Sequence, residues 1–344
     1  MGSRPGSRIQ LDAEREEGEA GGAATAAARV GTYYERGLDA IKVYNRLSHA
    51  AYSSAAKEVR SRNLRLVGHL PKAVSLPAAV EAGQSSFEHA HLLPRHCSSL
   101  DEDWRSGRLD RLSPTELTES FVSKHDTAIC ADAISMLADA GAWIVPTHVT
   151  REEDARAGDP AFSTDSRLDY LDPLSRWAWN DDLAGTLGSY PGKRGENALK
   201  AYFEHGLRLT GLAHEGGVGV LVGTDTAIGG FRYHDEMAHL VSAGMTPAQV
   251  LRAATFDAAK YAGEEARAGS IAVGKRADMV LLKANPLEDI ANTRRISAVI
   301  QGGRLHDRDD LDALLAFVRG QARAPHNWAK LLWSLARSSV NSEL

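Results

Sequence analysis

Val218-Gly-Val-Leu-Val-Gly-Thr-Asp225 is an apolar run that ends on a carboxylate. Three upstream stretches share its design. Asp39-Ala-Ile-Lys-Val-Tyr44 carries Lys42 near its end, Leu64-Arg-Leu-Val-Gly-His69 closes on His69, and Ser85-Ser-Phe-Glu-His89 closes on His89. Short, nearly continuous apolar runs of this kind read as strands buried on both faces, which is the pattern of a parallel sheet. In a (β/α)₈ barrel the active groups stand at the C-terminal ends of such strands. Lys42, His69, His89 and Asp225 all occupy that position.

Working outward, helical patterns fill the gaps. Helices are predicted over 23–36, stopped by Gly37, over 48–62, and over 75–82, where Ser75 caps and Pro77 sits in the first turn. A polar insertion (92–124), read as a solvated loop around 100–111, precedes a helix over 125–140 and the apolar stretch Ala142-Trp-Ile-Val-Pro-Thr-His148. A polar, aromatic-bearing stretch (149–193) follows, then a helix with Leu199, Tyr202, Phe203 and Leu207 on one face. Further helices are predicted over 234–244 and 246–262.

One βα unit separates Lys42 from His69 and another separates His69 from His89. The count to Asp225 is therefore five strands, where a closed barrel needs eight. The predicted fold is α/β, a (β/α)₈ TIM barrel lacking its first three βα units, over residues 23–262. Residues 1–22, rich in Gly, Arg, Glu and Ala, read as a disordered or boundary segment and as poor strand material. Residues 263–306, with Gly turns between short apolar runs, read as the remnant of a small β-sandwich module. Residues 307–344 read as C-terminal helices, with Leu311, Leu314, Leu315 and Val318 on one stripe and Trp328, Leu331, Leu332 and Leu335 on another. Open sheet edges predict self-association into a homo-oligomer, or a need for a complementary N-terminal fragment.

A net charge of -5 argues against nucleic acid or an anionic membrane as partner. No long apolar run predicts a membrane span. Cys97 and Cys130 show no metal or redox spacing, so they read as free thiols in a reducing compartment and the location as cytoplasmic.

The second half is dense in recognisable text: Gly223-Thr-Asp225, His234-Asp-Glu-Met237, Ala243-Gly-Met-Thr-Pro247, Ala253-Ala-Thr255, Gly269-Ser-Ile271, Gly274-Lys-Arg-Ala-Asp278 and Asn285-Pro-Leu287. In this order and spacing they resemble the amidohydrolase superfamily, in its imidazolonepropionase-like and prolidase-like branch, over residues 37–306. The resemblance implies a metal-dependent hydrolase that cleaves a carbon–nitrogen bond of a small amide, cyclic amide or dipeptide. It implies that Lys42, carboxylated, bridges two divalent ions, zinc being the first expectation. His69 and His89 become ligands from the fifth and sixth strands, and Asp225 becomes both a ligand and the catalytic carboxylate. His148 and His234 are candidate substrate contacts. The sequence departs from the family at one point: no His-x-His pair precedes Lys42. His89-Ala-His91 cannot take that place, because too few strands separate it from Gly223-Thr-Asp225. The second metal is correspondingly in doubt.

The chemistry explains the residue types. Divalent ions acidify a bound water and polarise a carbonyl, and imidazoles suit Zn²⁺ and similar ions. A lysine contributes to such a centre only as its carbamate, which forms from the neutral amine. Asp225 would accept the water's proton and return it to the leaving nitrogen. Two alternatives stand beside this reading: a non-catalytic or split-enzyme fragment, and a deaminase on the same fold, disfavoured because no Glu follows His69 in the manner deaminases use.

Overall fold

The computed structural model describes residues 8–11 and 22–324. Its centre is a six-stranded sheet of β1 (Arg8–Leu11), β2 (Ala40–Val43), β3 (Arg65–Gly68), β4 (Gln84–Glu88), β5 (Trp143–Val145) and β6 (Gly219–Val220), all parallel and in sequential order. Sequential parallel strands require a crossover at every step. The helices Ala23–Glu35, His49–Ser61, Leu76–Glu81, Thr127–Asp139 and Gly192–Glu215 lie in those crossovers. Ile41, Val43, Leu66, Phe87, Ile144 and Val220 from the strands are buried in one core with Val30, Tyr52, Val59, Leu137, Leu209 and Leu240 from the helices. Each such side chain contributes roughly 1.5–3 kcal/mol on burial. The fold is α/β with a parallel sheet, and among the described residues β1 and β6 do not pair with each other.

The strand count corrects one expectation. Residues 1–22 are not wholly a disordered or boundary segment, because Arg8–Leu11 pairs with Ala40–Val43 and puts a strand beside the edge of β2. Four residues are too few to change the composition of the segment. Backbone hydrogen bonding to an otherwise open edge is indifferent to most side chains. At the other edge, regular structure in the run 218–224 is limited to Gly219–Val220, with the Leu221 N–H still donating to the Ile144 carbonyl at 2.9 Å.

The polar insertion is a second correction. It folds into helices Leu92–His96, Asp101–Arg105 and Pro114–Ser123. The last opens with a capping box between Ser113 and Glu116 and has Pro114 in its first turn. Trp104 and Phe121 from these helices pack with Tyr202 into a small core of their own, an apolar content that the polar residues around them conceal. The cysteines correct a third expectation. Cys97, just after Leu92–His96, and Cys130, in Thr127–Asp139, form a disulfide and are not free thiols. Their sequence separation of 33 residues gave no hint that the two helices meet. The bridge removes the free-thiol argument for a cytoplasmic location.

Downstream, the stretch 149–193 is largely helical, including His148–Ala155 and Pro173–Ser189. One helix spans Gly229–Ser242, and the region 246–262 is divided into Pro247–Ala253 and Phe256–Ala262. A separate antiparallel sheet consists of β7 (Met279–Leu282), β8 (Ile296–Gln301) and β9 (Arg304–His306). The helix Arg308–Ala322 follows it, whereas the Trp328 stripe lies outside the described residues. Among the described residues no helix is long and apolar enough to cross a membrane.

Candidate metal centre

The C-terminal edge of the parallel sheet gathers the titratable side chains. Lys42 is in β2, and His69 follows β3 directly, its N–H continuing the ladder to the Val43 carbonyl at 3.0 Å. Gly68 makes that closeness possible. At its φ of +116°, a Cβ would stand 2.4 Å from the Val43 carbonyl oxygen, so any other residue would push β3 away from β2. Buried Gln84 secures the same corner, donating to the Gly68 and His69 carbonyls at 3.2 and 3.1 Å and accepting from the Tyr52 hydroxyl at 2.8 Å.

His89 sits where β4 ends, in the left-handed region at φ 74°. Thr147 after β5 and Asp225 after β6 share that conformation, at φ 49° and 46°. Left-handed backbone costs a non-glycine residue about 1–3 kcal/mol and persists where the surroundings impose it. Three such residues at adjacent strand ends face one another. His89 Nδ1 is 2.9 Å from the Thr147 hydroxyl, and His89 Nε2 is 3.0 Å from His69 Nε2 and 3.6 Å from Asp225 Oδ2.

Glu88 is the residue that sequence reasoning missed. Neighbours along a strand point to opposite faces, so reading His89 as inward made Glu88 outward. The left-handed turn at His89 breaks the alternation and brings both to the same side. Glu88, His69 and His89 offer ligand atoms that all lie within 4.8 Å of one another. Glu88 Oε2 also contacts Lys42 Nζ at 2.6 Å, an ion pair largely shielded from solvent.

The electrostatics suit a cation. Burial, then the neighbouring His89 and Lys42, pushes the His69 imidazole down to about 3. Burial, then the charges of Arg151, Lys42 and Arg95, does the same to His89, also to about 3. Both rings are therefore neutral at physiological pH, with lone pairs free for a metal. His69 Nδ1 is buried with no partner among the described residues, so nothing else fixes its tautomer. A tetrahedral ion about 2.0 Å from two imidazole nitrogens holds them about 3.3 Å apart, close to the 3.0 Å between His69 and His89. Two neutral imidazoles and two nearby carboxylates, Glu88 and Asp225, fit a divalent cation.

Lys42, His69, His89 and Asp225 are thus brought to one edge. His91 joins them, its ring stacked 5.5 Å from that of His89. The other two candidates lie elsewhere. His148 is fully buried with Nε2 3.0 Å from the Thr210 hydroxyl, and His234 Nδ1 is 3.0 Å from the Thr293 hydroxyl beside the β7–β9 sheet. Neither contacts the His69–His89 cluster. Behind the centre, buried Arg232 of helix Gly229–Ser242 reaches Glu152 of helix His148–Ala155 at 2.7 Å and pairs with Asp235 of its own helix at 2.6 Å. The Thr226 hydroxyl, next to Asp225, donates to Glu153 at 2.6 Å.

Known proteins resemble this chain in sequence and fold. The model of the Amidohydrolase family matches residues 45–305. Ochratoxinase from Aspergillus niger is 34% identical over 111 residues, covering 31% of this chain and 23% of that protein. A structure of the bottromycin amidohydrolase superposes with a TM-score of 0.66 at 26% identity, over 87% of this chain and 62% of the other. A Xaa-Pro dipeptidase with bound methionine gives 0.55 at 20% identity, over 83% and 59%, a likeness of fold. The chain thus spans about three fifths of the length of these two solved structures and about a quarter of the curated relative.

Proposed function

We propose, from the premise that this chain belongs to the amidohydrolase family, that it hydrolyses the carbon–nitrogen bond of a small amide or dipeptide with the help of a divalent ion. The observation that carries the proposal is the meeting of His69, Glu88 and His89 at the C-terminal edge of a parallel sheet, with Asp225 beside them. His69, His89 and a carboxylate from Glu88 or Asp225 would hold the ion. When bound, it supplies a Lewis acid for the carbonyl and acidity for the attacking water. Zinc suits two imidazoles and a carboxylate.

The chain's own residues divide the remaining work. Thr147 fixes the His89 ring through Nδ1, the outer contact that orients a ligating imidazole. Asp225 has a side chain 60% exposed, so it can reach a substrate at the mouth. It takes one proton from water as the carbon–oxygen bond forms and delivers it to the nitrogen as the carbon–nitrogen bond breaks. His91 lies on the substrate side of His89, while His148 and His234 act as supports, not as substrate contacts.

The Lys42–Glu88 pair favours a centre of one ion over a bridged pair. A carboxylated Lys42 would set a second negative charge against Glu88, so the bridged centre requires Glu88 to swing away. Elemental analysis with hydrolysis of a panel of N-acyl amino acids and dipeptides tests the reading. One divalent ion per chain and turnover are expected, both lost together in His69→Ala and His89→Ala. Turnover that survives chelation and both substitutions would sink it.

A further inference from the structure

Asp225 stands at the centre without a firm hold of its own. Its side chain is 60% exposed, and its 3.6 Å separation from His89 is too long for a hydrogen bond. Its backbone is left-handed at φ 46°, a conformation that persists where neighbouring contacts impose it. Anchors flank it on both sides in the chain. Before it, the Leu221 N–H donates to the Ile144 carbonyl, and Gly223 lies so close to Val145 that a Cβ would stand 2.5 Å from its Cγ1. After it, the Thr226 hydroxyl donates to Glu153 at 2.6 Å, and Ile228 enters a second small core. Glu153 is in the second turn of helix His148–Ala155, with its side chain only 13% exposed. The same helix starts from Thr147, whose hydroxyl meets His89 Nδ1. One short helix therefore reaches the centre at two points. Helix Gly229–Ser242 fixes it in turn. Glu236 accepts the Val149 N–H at 2.8 Å, and the Arg232 guanidinium donates to the Val149 carbonyl at 3.3 Å. Arg232 Nε is 3.7 Å from Glu153, beyond hydrogen-bond reach, so the short tie that Glu153 makes is the one to Thr226.

We infer that Glu153 is a positioning residue for Asp225: by accepting the Thr226 hydroxyl it fixes the turn after β6 and holds the Asp225 carboxylate on the His89 side of the centre. Helix His148–Ala155 then acts as a bracket that sets His89 through Thr147 and Asp225 through Glu153, so imidazole and carboxylate keep a common spacing. What Asp225 does there, as ligand and proton carrier, rests on the amide-hydrolase reading; its placement does not. A group that serves a bound ion or a substrate must be held to within about 0.5 Å of its working position. An exposed side chain on a loop meets that demand only if its backbone is fixed. Glu153 touches neither ion nor substrate and acts through Thr226 alone. That hydrogen bond needs an acceptor and not a charge, so a glutamine oxygen can replace the carboxylate.

Crystal structures of the metal-free parent, Glu153→Ala and Thr226→Val read the placement directly. Both variants are expected to carry Asp225 Oδ2 at least about 1 Å further from His89 Nε2, with the His69–His89 contact kept at 3.0 Å. Glu153→Gln and Thr226→Ser keep acceptor and donor and should retain the parental position. The second readout is the affinity for Co²⁺ alone, measured by competition with a chelator. Glu153→Ala and Thr226→Val should weaken it about tenfold, and Glu153→Gln and Thr226→Ser should bind as the parent does. In an Asp225→Asn chain, adding Thr226→Val should change nothing further, because the group being positioned is already gone. An equal loss of Co²⁺ affinity in that chain would overturn the inference, since it would mark a general structural role. So would an unmoved Asp225 in folded Thr226→Val, whether or not Glu153→Ala folds. Glu153→Gln behaving like Glu153→Ala would overturn it too, because the charge facing Arg232 would then matter and not the hydrogen bond. If Asp225 is displaced in the variants but the parent hydrolyses no amide, the hydrolase reading falls and the positioning role stands. If the parent hydrolyses amides and Asp225 does not move, the reverse follows.

Discussion

Substituting Glu236 by Gln should change how stability depends on pH. Glu236 lies in helix Gly229–Ser242, is fully buried, and accepts the Val149 N–H at 2.8 Å on Oε2. Its Oε1 has no partner among the described residues. Burial pushes the carboxyl up from 4.5 to about 7, against hydrogen bonds from the His148 and Val149 N–H groups and the charges of His239 and Arg232, which lower it. The folded chain therefore keeps this proton where the unfolded chain releases it. The contribution is fully present below about pH 4.5, fades as pH rises, and is gone above about pH 7. A displacement of this size is worth roughly 3 kcal/mol. Glutamine retains the acceptor for Val149 and cannot ionise, so the variant should lack this slope. Urea unfolding of both proteins across pH 4.5–8 isolates the effect, because the other titrating groups cancel in the difference. The variant should gain roughly 3 kcal/mol on the parent across that interval, whatever constant offset the amide introduces. A difference flat to within about 0.5 kcal/mol would refute the buried, neutral carboxyl.

Thr147→Val removes the partner of His89 Nδ1, and should weaken metal affinity about 10- to 100-fold by competition with a chelator while leaving the fold intact. Glu88→Gln separates the two readings of the centre. With one ion, added bicarbonate should not stimulate turnover in the parent, and Glu88→Gln should lower metal content; stimulation that Lys42→Ala abolishes would restore the bridged pair. Gly68→Ala sets a Cβ 2.4 Å from the Val43 carbonyl oxygen, and should cost at least about 2 kcal/mol in unfolding free energy and disturb metal binding through His69. Replacing Cys97 and Cys130 by serine opens a loop of 33 residues, which in the chain-entropy account costs roughly 3–4 kcal/mol and should appear as a lower denaturation midpoint.

The sequence alone determined a good deal. Apolar runs ending on Lys42, His69, His89 and Asp225, alternating with helical patterns, prescribe parallel strands with crossovers, since only that arrangement buries both faces of each run. The motifs from Gly223 to Leu287 carry the family, because they encode local turns and caps such as Thr246-Pro247, whose hydroxyl caps Pro247–Ala253. What depended on contacts distant in sequence was decided only by the tertiary structure. Arg8–Leu11 is a strand because β2 offers an edge, not because its segment has strand composition. Cys97 and Cys130 pair because two helices meet, and the polar insertion is helical because Trp104 and Phe121 find Tyr202. Glu88 enters the centre because His89, held by Thr147 and by the Val145 carbonyl that accepts its N–H, adopts a left-handed backbone that strand periodicity does not anticipate. Local pattern sets the direction in which side chains begin to point. Where a strand ends, the neighbouring strands decide where they arrive.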